Sequence, residues 1–346
     1  MEGMARPRLR DIAELAGVSE PTVSRVLNAK SGVAESTRQR VLRALSDLGW
    51  DEEVKAPSDV RTGVIGLITG EFSNPVFPTF VDHISSALAR NGYITSIAVT
   101  APPVNTEERC VAELERADVD GIVFLGGKHA EVGSDLSFYE ALRSRDIPMV
   151  FVNGRRTDLP VPHVICDEEA GARKACEHLL SLGHVRIGCL LGWPGVVPTI
   201  RMIRGYETAM TKAGLPISSD GVINATFTFE AGMAGARRFI DQGYTAVITS
   251  NDLMALGAIS AANNMGLSVP DDFSVVGYDG TAMTALTGPP LTTMRQPFDQ
   301  MSRLIVEAIV NEIEGVPGFR DHFVFDAELV ARGSSGRVSA ALTTAD

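Results

Sequence analysis

Short apolar runs and amphipathic stretches alternate from residue 64 onward, and the same beat then starts over. Val64–Ile68, Tyr93–Val99, Gly121–Leu125 and Pro148–Val152 read as buried strands, with helical patterns over 77–90, 106–117 and 135–145 between them. The second run opens with a helix over Ala170–Leu182. It continues with a strand at Val185–Leu191, a helix at Ile200–Ala213, a weak strand at Gly221–Ala225 and a helix at 229–241. Ala246–Thr249, residues 253–265 and Phe273–Gly277 complete it as strand, helix and strand. Strands joined through helices lie parallel, because a parallel pair needs a crossover long enough to hold one. Two such runs predict two similar α/β lobes. Open parallel sheets bind ligands outside the carboxyl ends of their strands, so two facing lobes make a cleft.

The first fifty residues follow a different period. Ile12, Leu15 and Ala16 recur at i, i+3 and i+4, which makes one apolar helical face. Gly17 permits the left-handed conformation that closes a helix, Ser19 is a good N-cap, and Pro21 fits a first helical turn. Val23, Val26 and Leu27 give the second helix a buried side, while Thr22, Ser24, Arg25 and Asn28 point elsewhere. A third helix over 34–48 carries Val41, Leu42, Leu45 and Leu48 on one stripe. Two helices around a tight Gly-containing turn, the second polar and Arg-bearing outward, is the plan of a helix-turn-helix DNA reader. A generic three-helix bundle is the competing reading.

Charge is unevenly shared. Residues 1–46 hold eight basic and five acidic side chains, a net +3; the whole chain carries −12, so the remaining 300 residues carry −15. A basic head on an acidic body pairs one face with phosphates and limits non-specific binding elsewhere. No apolar run reaches membrane-spanning length, and the N-terminus has no apolar signal core, so a cytoplasmic protein is expected. Cys110, Cys166, Cys176 and Cys189 show no CxxC spacing and read as reduced thiols. Six histidines lack HxxxH or HExxH spacing, and neither GxGxxG nor GxSxG occurs. Gly121–Lys128 looks like a phosphate loop, but it is one residue too long and His129 stands where Ser or Thr is needed. No metal, cofactor or catalytic residue is expected, and the chain does not read as an enzyme.

The residues together resemble the lactose-repressor (LacI/GalR) family of bacterial transcription regulators, along nearly the whole chain. The head pattern runs Asp11-Ile-Ala-x-x-Ala-Gly-Val-Ser-x-x-Thr-Val-Ser-Arg-Val-Leu-Asn28, followed by Thr37-Arg38. The body repeats further landmarks, among them Ser73-Asn-Pro-Val-Phe77, His178–His184, Asn251-Asp-Leu-Met-Ala-Leu-Gly257, Val276-Gly-Tyr-Asp279 and Pro290–Gln296. Val196-Val-Pro-x-x-Arg201, with Ser19-Glu-Pro21 in the reading helix, is most similar to the actinobacterial maltose-regulator subgroup. The resemblance implies a homodimer reading a near-palindromic double-stranded operator, with a sugar-type effector in the cleft. It also implies the division into a helix-turn-helix head (1–49), a linker (50–62) and an effector-binding and dimerisation body (63–346). The lobes of that body are expected at 63–165 with 293–325, and at 166–292 with 326–346. Two departures stand out. No Leu lies between residues 49 and 66, where the family often inserts one into the minor groove, and Pro57 sits mid-linker. Met202 occupies the position where many members carry an effector-binding Arg, flanked by Arg201 and Arg204.

Arg25 is the leading base-contact candidate, since Arg bonds guanine through two donors, with a phosphate contact as its alternative. Glu20 and Pro21 occupy the family's specifying positions, and Thr22, Ser24, Asn28 and Thr37 suit phosphates, which set register. For the effector, Asp279 offers a carboxylate to two hydroxyls; Asn251 and Asp252 share that role with helix capping. Asn153 and Arg155 follow the fourth strand, Phe77 and Trp193 offer flat apolar faces, and Arg201 is the cation nearest the family position. A solute-binding protein for sugar uptake shares the two-lobed plan and remains an alternative. So does a regulator whose effector is a purine or a sugar phosphate.

Overall fold

A computed structural model describes residues 9–27, 34–48, 61–154, 159–316 and 322–338. It divides into a head, Met1–Thr62, and a body, Gly63–Asp346. Apart from Arg61 and Thr62, the expected linker lies outside the described residues.

The head holds α1 (Leu9–Ala16), α2 (Glu20–Leu27) and α3 (Glu35–Asp47). Gly17 has φ of 63° and ends α1, whose last turn is closed by Val18 N–H donating to Ala13 O. The core is Ile12, Ala13, Ala16, Val23, Val26, Val41, Ala44 and Leu45. One expectation needs correction: Leu15 is 53% exposed, and Ala13 takes its place in the core. Helix α1 packs against both α2 and α3, so its buried arc turns toward the small Ala13 and Ala16, which allow close approach.

The body contains two six-stranded sheets wound in the same order. The first lobe has β1 (Val64–Thr69), α4 (Val76–Arg90), β2 (Ile94–Val99), α5 (Glu107–Arg116), β3 (Gly121–Phe124), α6 (Ser137–Ser144), β4 (Met149–Val152) and β5 (His163–Cys166). The second has α7 (Glu168–Ser181), β6 (Ile187–Leu191), α8 (Val197–Lys212), β7 (Val222–Asn224), α9 (Phe229–Asp241), β8 (Ala246–Thr249), α10 (Asp252–Asn264), β9 (Ser274–Asp279) and β10 (Thr292–Arg295). The chain then returns through α11 (Phe298–Glu314) and β11 (His322–Phe325) to the first lobe, and ends in the second with β12 (Glu328–Val330). The orders are β11-β5-β4-β3-β1-β2 and β12-β10-β9-β8-β6-β7. All pairs are parallel except β10 with β12.

The crossings between lobes fall at Asp167, Gln296–Pro297 and Asp326–Ala327. The middle one comes later than residue 293, because Thr292–Arg295 pairs in register with Val276–Asp279 of the second sheet. Strand β5 and helix α11 are elements the periodicity did not mark. One buried cluster joins the lobes, running from Ile65, Phe80 and Val150 to Tyr206, Ile248 and Tyr278.

Candidate functional site

In the head, α2 turns Val23 and Val26 inward and leaves Glu20 and Pro21 exposed, with Thr22 and Ser24 half-buried. The Ser19 hydroxyl pairs with the Thr22 hydroxyl at 2.8 Å, and the Ser19 carbonyl accepts from Thr22 N and Val23 N. That bond orients Thr22 on the outer face of the second helix. Thr37 sits half-buried in the first turn of α3, its N–H donating to Ala34 O. Arg25 lies in α2 with its side chain outside the described residues, and Asn28 lies outside them altogether.

In the body, the chain winds outward from β1 to β2 and then back to β3 on the other side, and β6, β7 and β8 repeat this. Each sheet therefore has a switch point where the loops after two adjacent strands diverge, the place where open sheets bind ligands. Phe77 lies at the first. A Cβ on Gly70, just after β1, would sit 2.7 Å from its ring, and one on Gly126, after β3, at 3.7 Å. Phe227 lies at the second, so close to Gly192 that a Cβ there would be 1.9 Å from its ring. Only glycine lets the edge of either ring come so close to the strand ends. Phe227 escaped sequence reasoning, because its partner Gly192 belongs to a different strand end. Trp193 follows Gly192 and is 62% exposed.

Asp279 ends β9 with φ of 105°, a backbone region that non-glycine residues seldom adopt and that tends to mark functional positions. It is buried, and its Oδ1 accepts from Gln296 Nε2 at 2.8 Å. Burial, and then repulsion from Asp252, push its carboxyl well above the ordinary range. Asp252 is occupied within the protein. Its Oδ2 accepts from Thr281 N and Thr281 Oγ1, both at 2.9 Å, and its Oδ1 from Thr293 Oγ1 at 2.6 Å. Burial raises it to about 6, against those hydrogen bonds. Asn251 caps α10, Oδ1 accepting from Met254 N at 2.8 Å, while Nδ2 reaches Phe227 O at 3.4 Å. Capping thus claims Asn251, and its amide also leans on the Phe227 loop.

Asn153 follows β4 in the left-handed region, φ 63°, half-buried; Arg155 lies outside the described residues. Arg201 binds two carboxylates, Nη2 to Asp167 Oδ1 at 2.7 Å and Nε to Glu168 Oε2 at 2.9 Å. Burial raises Glu168 to about 7 in spite of Arg201. Asp167 thus meets the guanidinium charge directly, and Glu168 adds to this where it is ionised. A groove of 810 Å³ between Met149, Leu159 and Glu312 lies at the amino end of β4, the wrong end of a parallel sheet for a ligand.

Among the described residues no helix is long and apolar enough to cross a membrane. Residues 8–51 match "Bacterial regulatory proteins, lacI family", and residues 176–335 match "Periplasmic binding protein-like domain". The chain is 43% identical to the HTH-type transcriptional regulator MalR of Streptomyces coelicolor, over 95% of this chain and 96% of that one. Among solved structures, it resembles the transcriptional regulator CelR in complex with cellobiose, at 30% identity and a TM-score of 0.71, over 95% of this chain and 100% of that one. The lac repressor dimer bound to operator and the anti-inducer ONPF is similar at 27% identity and a TM-score of 0.68, over 95% and 99%. Head pattern, paired sheets and near full-length identity agree: the chain belongs to the lacI family of bacterial transcription regulators.

Proposed function

We propose that two copies of the chain read a near-palindromic operator through their heads, and that a neutral sugar, with maltose or a related α-glucoside favoured, sets operator affinity from the cleft. The carrying observation is the pair of aromatic rings set with their edges against glycines at the two switch points, Phe77 and Phe227, with the buried Asp279 at the end of β9 in the same sheet as Gly192. Flat apolar faces beside hydroxyl partners suit a sugar ring. The cellobiose complex of a 30% identical regulator supports a sugar of disaccharide size. Arg201 argues against a phosphorylated or purine effector, since Asp167 and Glu168 already occupy it. Asp279, Phe77, Phe227, Asn153 and Trp193 are the proposed effector contacts. Asp252 and Arg201 are assigned to positioning, and Asn251 to both roles.

A gel-shift with genomic fragments, titrated with sugars, nucleobases and sugar phosphates, tests this reading. A neutral sugar is expected to change operator affinity; a response confined to a purine or a phosphorylated ligand overturns it. Glu20, Pro21, Thr22, Ser24, Arg25, Asn28 and Thr37 are the proposed DNA contacts. Arg25→Ala is expected to weaken operator binding by about 1–3 kcal/mol and to relax the choice of one base pair. An equal loss on every sequence in a binding-site selection would assign Arg25 to phosphate instead.

A further inference from the structure

Two loops from opposite lobes are joined on the cleft side of both sheets. One follows β3 and the other follows β6. Val132 N–H donates to Gly195 O at 2.8 Å, and Glu131 and Val196 face each other as an antiparallel pair. Val132 and Trp193 are both exposed, so this contact lies at the surface.

The first-lobe side is rigid. The buried Glu107 of α5 accepts from Lys128 N at 3.1 Å and from the Tyr139 hydroxyl, and that hydroxyl accepts from His129 N at 3.1 Å. The Ser134 hydroxyl donates to Glu131 O at 2.9 Å. Gly127 holds φ of 143°, and a Cβ there would lie 2.5 Å from the Glu107 carboxylate, so the loop is pressed onto α5. The second-lobe side is thinner: Pro194 and Gly195 precede α8, and nothing lies within 4 Å of where a Gly195 Cβ would be.

We propose that this pairing is a latch. Main-chain bonding between 131–132 and 195–196 holds the lobes together, and the effector enters and leaves when it parts. A single exposed main-chain hydrogen bond biases such an equilibrium by only about two- to tenfold, which suits a contact that must open repeatedly. The latch rests on the reading that a sugar binds between the lobes.

The test is a disulfide in the full-length protein. The Val132–Gly195 bond flanks the Glu131–Val196 pair and makes it a non-hydrogen-bonded one, with Cα atoms about 4.5 Å apart. A disulfide spans that distance. The four native cysteines are buried and do not compete. Glu131→Cys/Val196→Cys is expected to crosslink without sugar. Oxidation should slow uptake of radiolabelled maltose at least tenfold, and should slow hydrogen exchange equally at peptides 70–77 and 279–284, with reductant restoring both. No crosslink, or a crosslink that leaves both rates unchanged, overturns the latch. If exchange slows on oxidation but the reduced protein takes up no maltose, the latch stands and the maltose reading fails. Should the double variant not fold, Val132→Pro removes the donor N–H, and exchange at the same peptides should rise two- to tenfold; unchanged exchange overturns the latch.

Discussion

Asp279→Asn is expected to weaken sugar binding by about 10- to 100-fold and to stabilise the empty body. In the empty protein the Asp279 carboxyl is buried, has Gln296 as a partner, and is destabilised as an anion by Asp252. An asparagine keeps an oxygen that accepts from Gln296 Nε2 and removes the like charge. It also tolerates positive φ, which an alanine would not. Removing a buried charge without a matching countercharge commonly stabilises a fold, and strained, poorly paired groups at binding sites lower stability in exchange for function. With sugar present the balance reverses. A carboxylate accepts from two hydroxyls, and hydrogen bonds to charged groups are worth about 1.5–3 kcal/mol each. An amide offers one acceptor where two are required, so one hydroxyl is left poorly matched in a buried place. Titration calorimetry with maltose and a thermal melt without it measure both effects. Operator affinity without sugar should change less than about twofold. Full sugar affinity in the variant would remove Asp279 from the site, and a lower melting temperature would refute the account of its burial.

The α/β alternation could be read because each strand of the two runs is a compact apolar block between amphipathic helices. Ile65, Leu67 and Ile68 in β1 and Ala246–Thr249 in β8 are buried for that reason. The short elements carried no such mark. Strand β5 is four residues, His163–Cys166, hemmed by Pro160 and Pro162, and its burial comes from its neighbours β4 and β11. The later lobe crossing was hidden for a related reason. Thr292–Arg295 has a strand's composition, but only its pairing with β9 says which sheet it joins. Leu15 shows the same limit in the head, because helical spacing finds an apolar arc and not the direction in which two neighbours rotate it. Site residues divided along similar lines. Asp279 was legible as a polar residue closing a strand, and its strained φ agrees with a special role. Asp252 was read as sharing an effector role with helix capping. Thr281 and Thr293 occupy both of its oxygens, and no local pattern announces partners 29 and 41 positions away. Phe227 was passed over because packing on Gly192 is a tertiary fact.

The melting temperature of the body is expected to fall as pH rises from 5.5 to 8. Burial raises Glu168 from 4.5 to about 7 and Asp252 from 3.8 to about 6, and pushes Asp279 well above 3.8. When a carboxyl's folded-state pKa is raised, the folded protein binds more protons than the unfolded chain between the two values. Stability then decreases with pH across that window and levels off above it. The contribution is therefore fully present below the unfolded pKa and is lost by about pH 7 for Glu168, somewhat lower for Asp252. One pKa unit is worth about 1.4 kcal/mol, so the loss between pH 5.5 and about 7 amounts to roughly 2 kcal/mol for Glu168 alone, or about 4 °C in melting temperature. Arg201 and Asp167 face Glu168; the first favours its anion and the second opposes it, and burial outweighs both. General repulsion in a chain of net charge −12 acts in the same direction, so the trend by itself does not identify the group. Glu168→Gln separates the two. It removes the proton-binding site and leaves an oxygen to accept from Arg201, so its melting temperature should fall much less steeply between pH 5.5 and 7.5. An equally steep fall in the variant would take the effect away from Glu168 and assign it to Asp252, Asp279 and overall charge. A melting temperature that rises with pH in the parent protein would refute the expectation that these raised carboxyls dominate the trend.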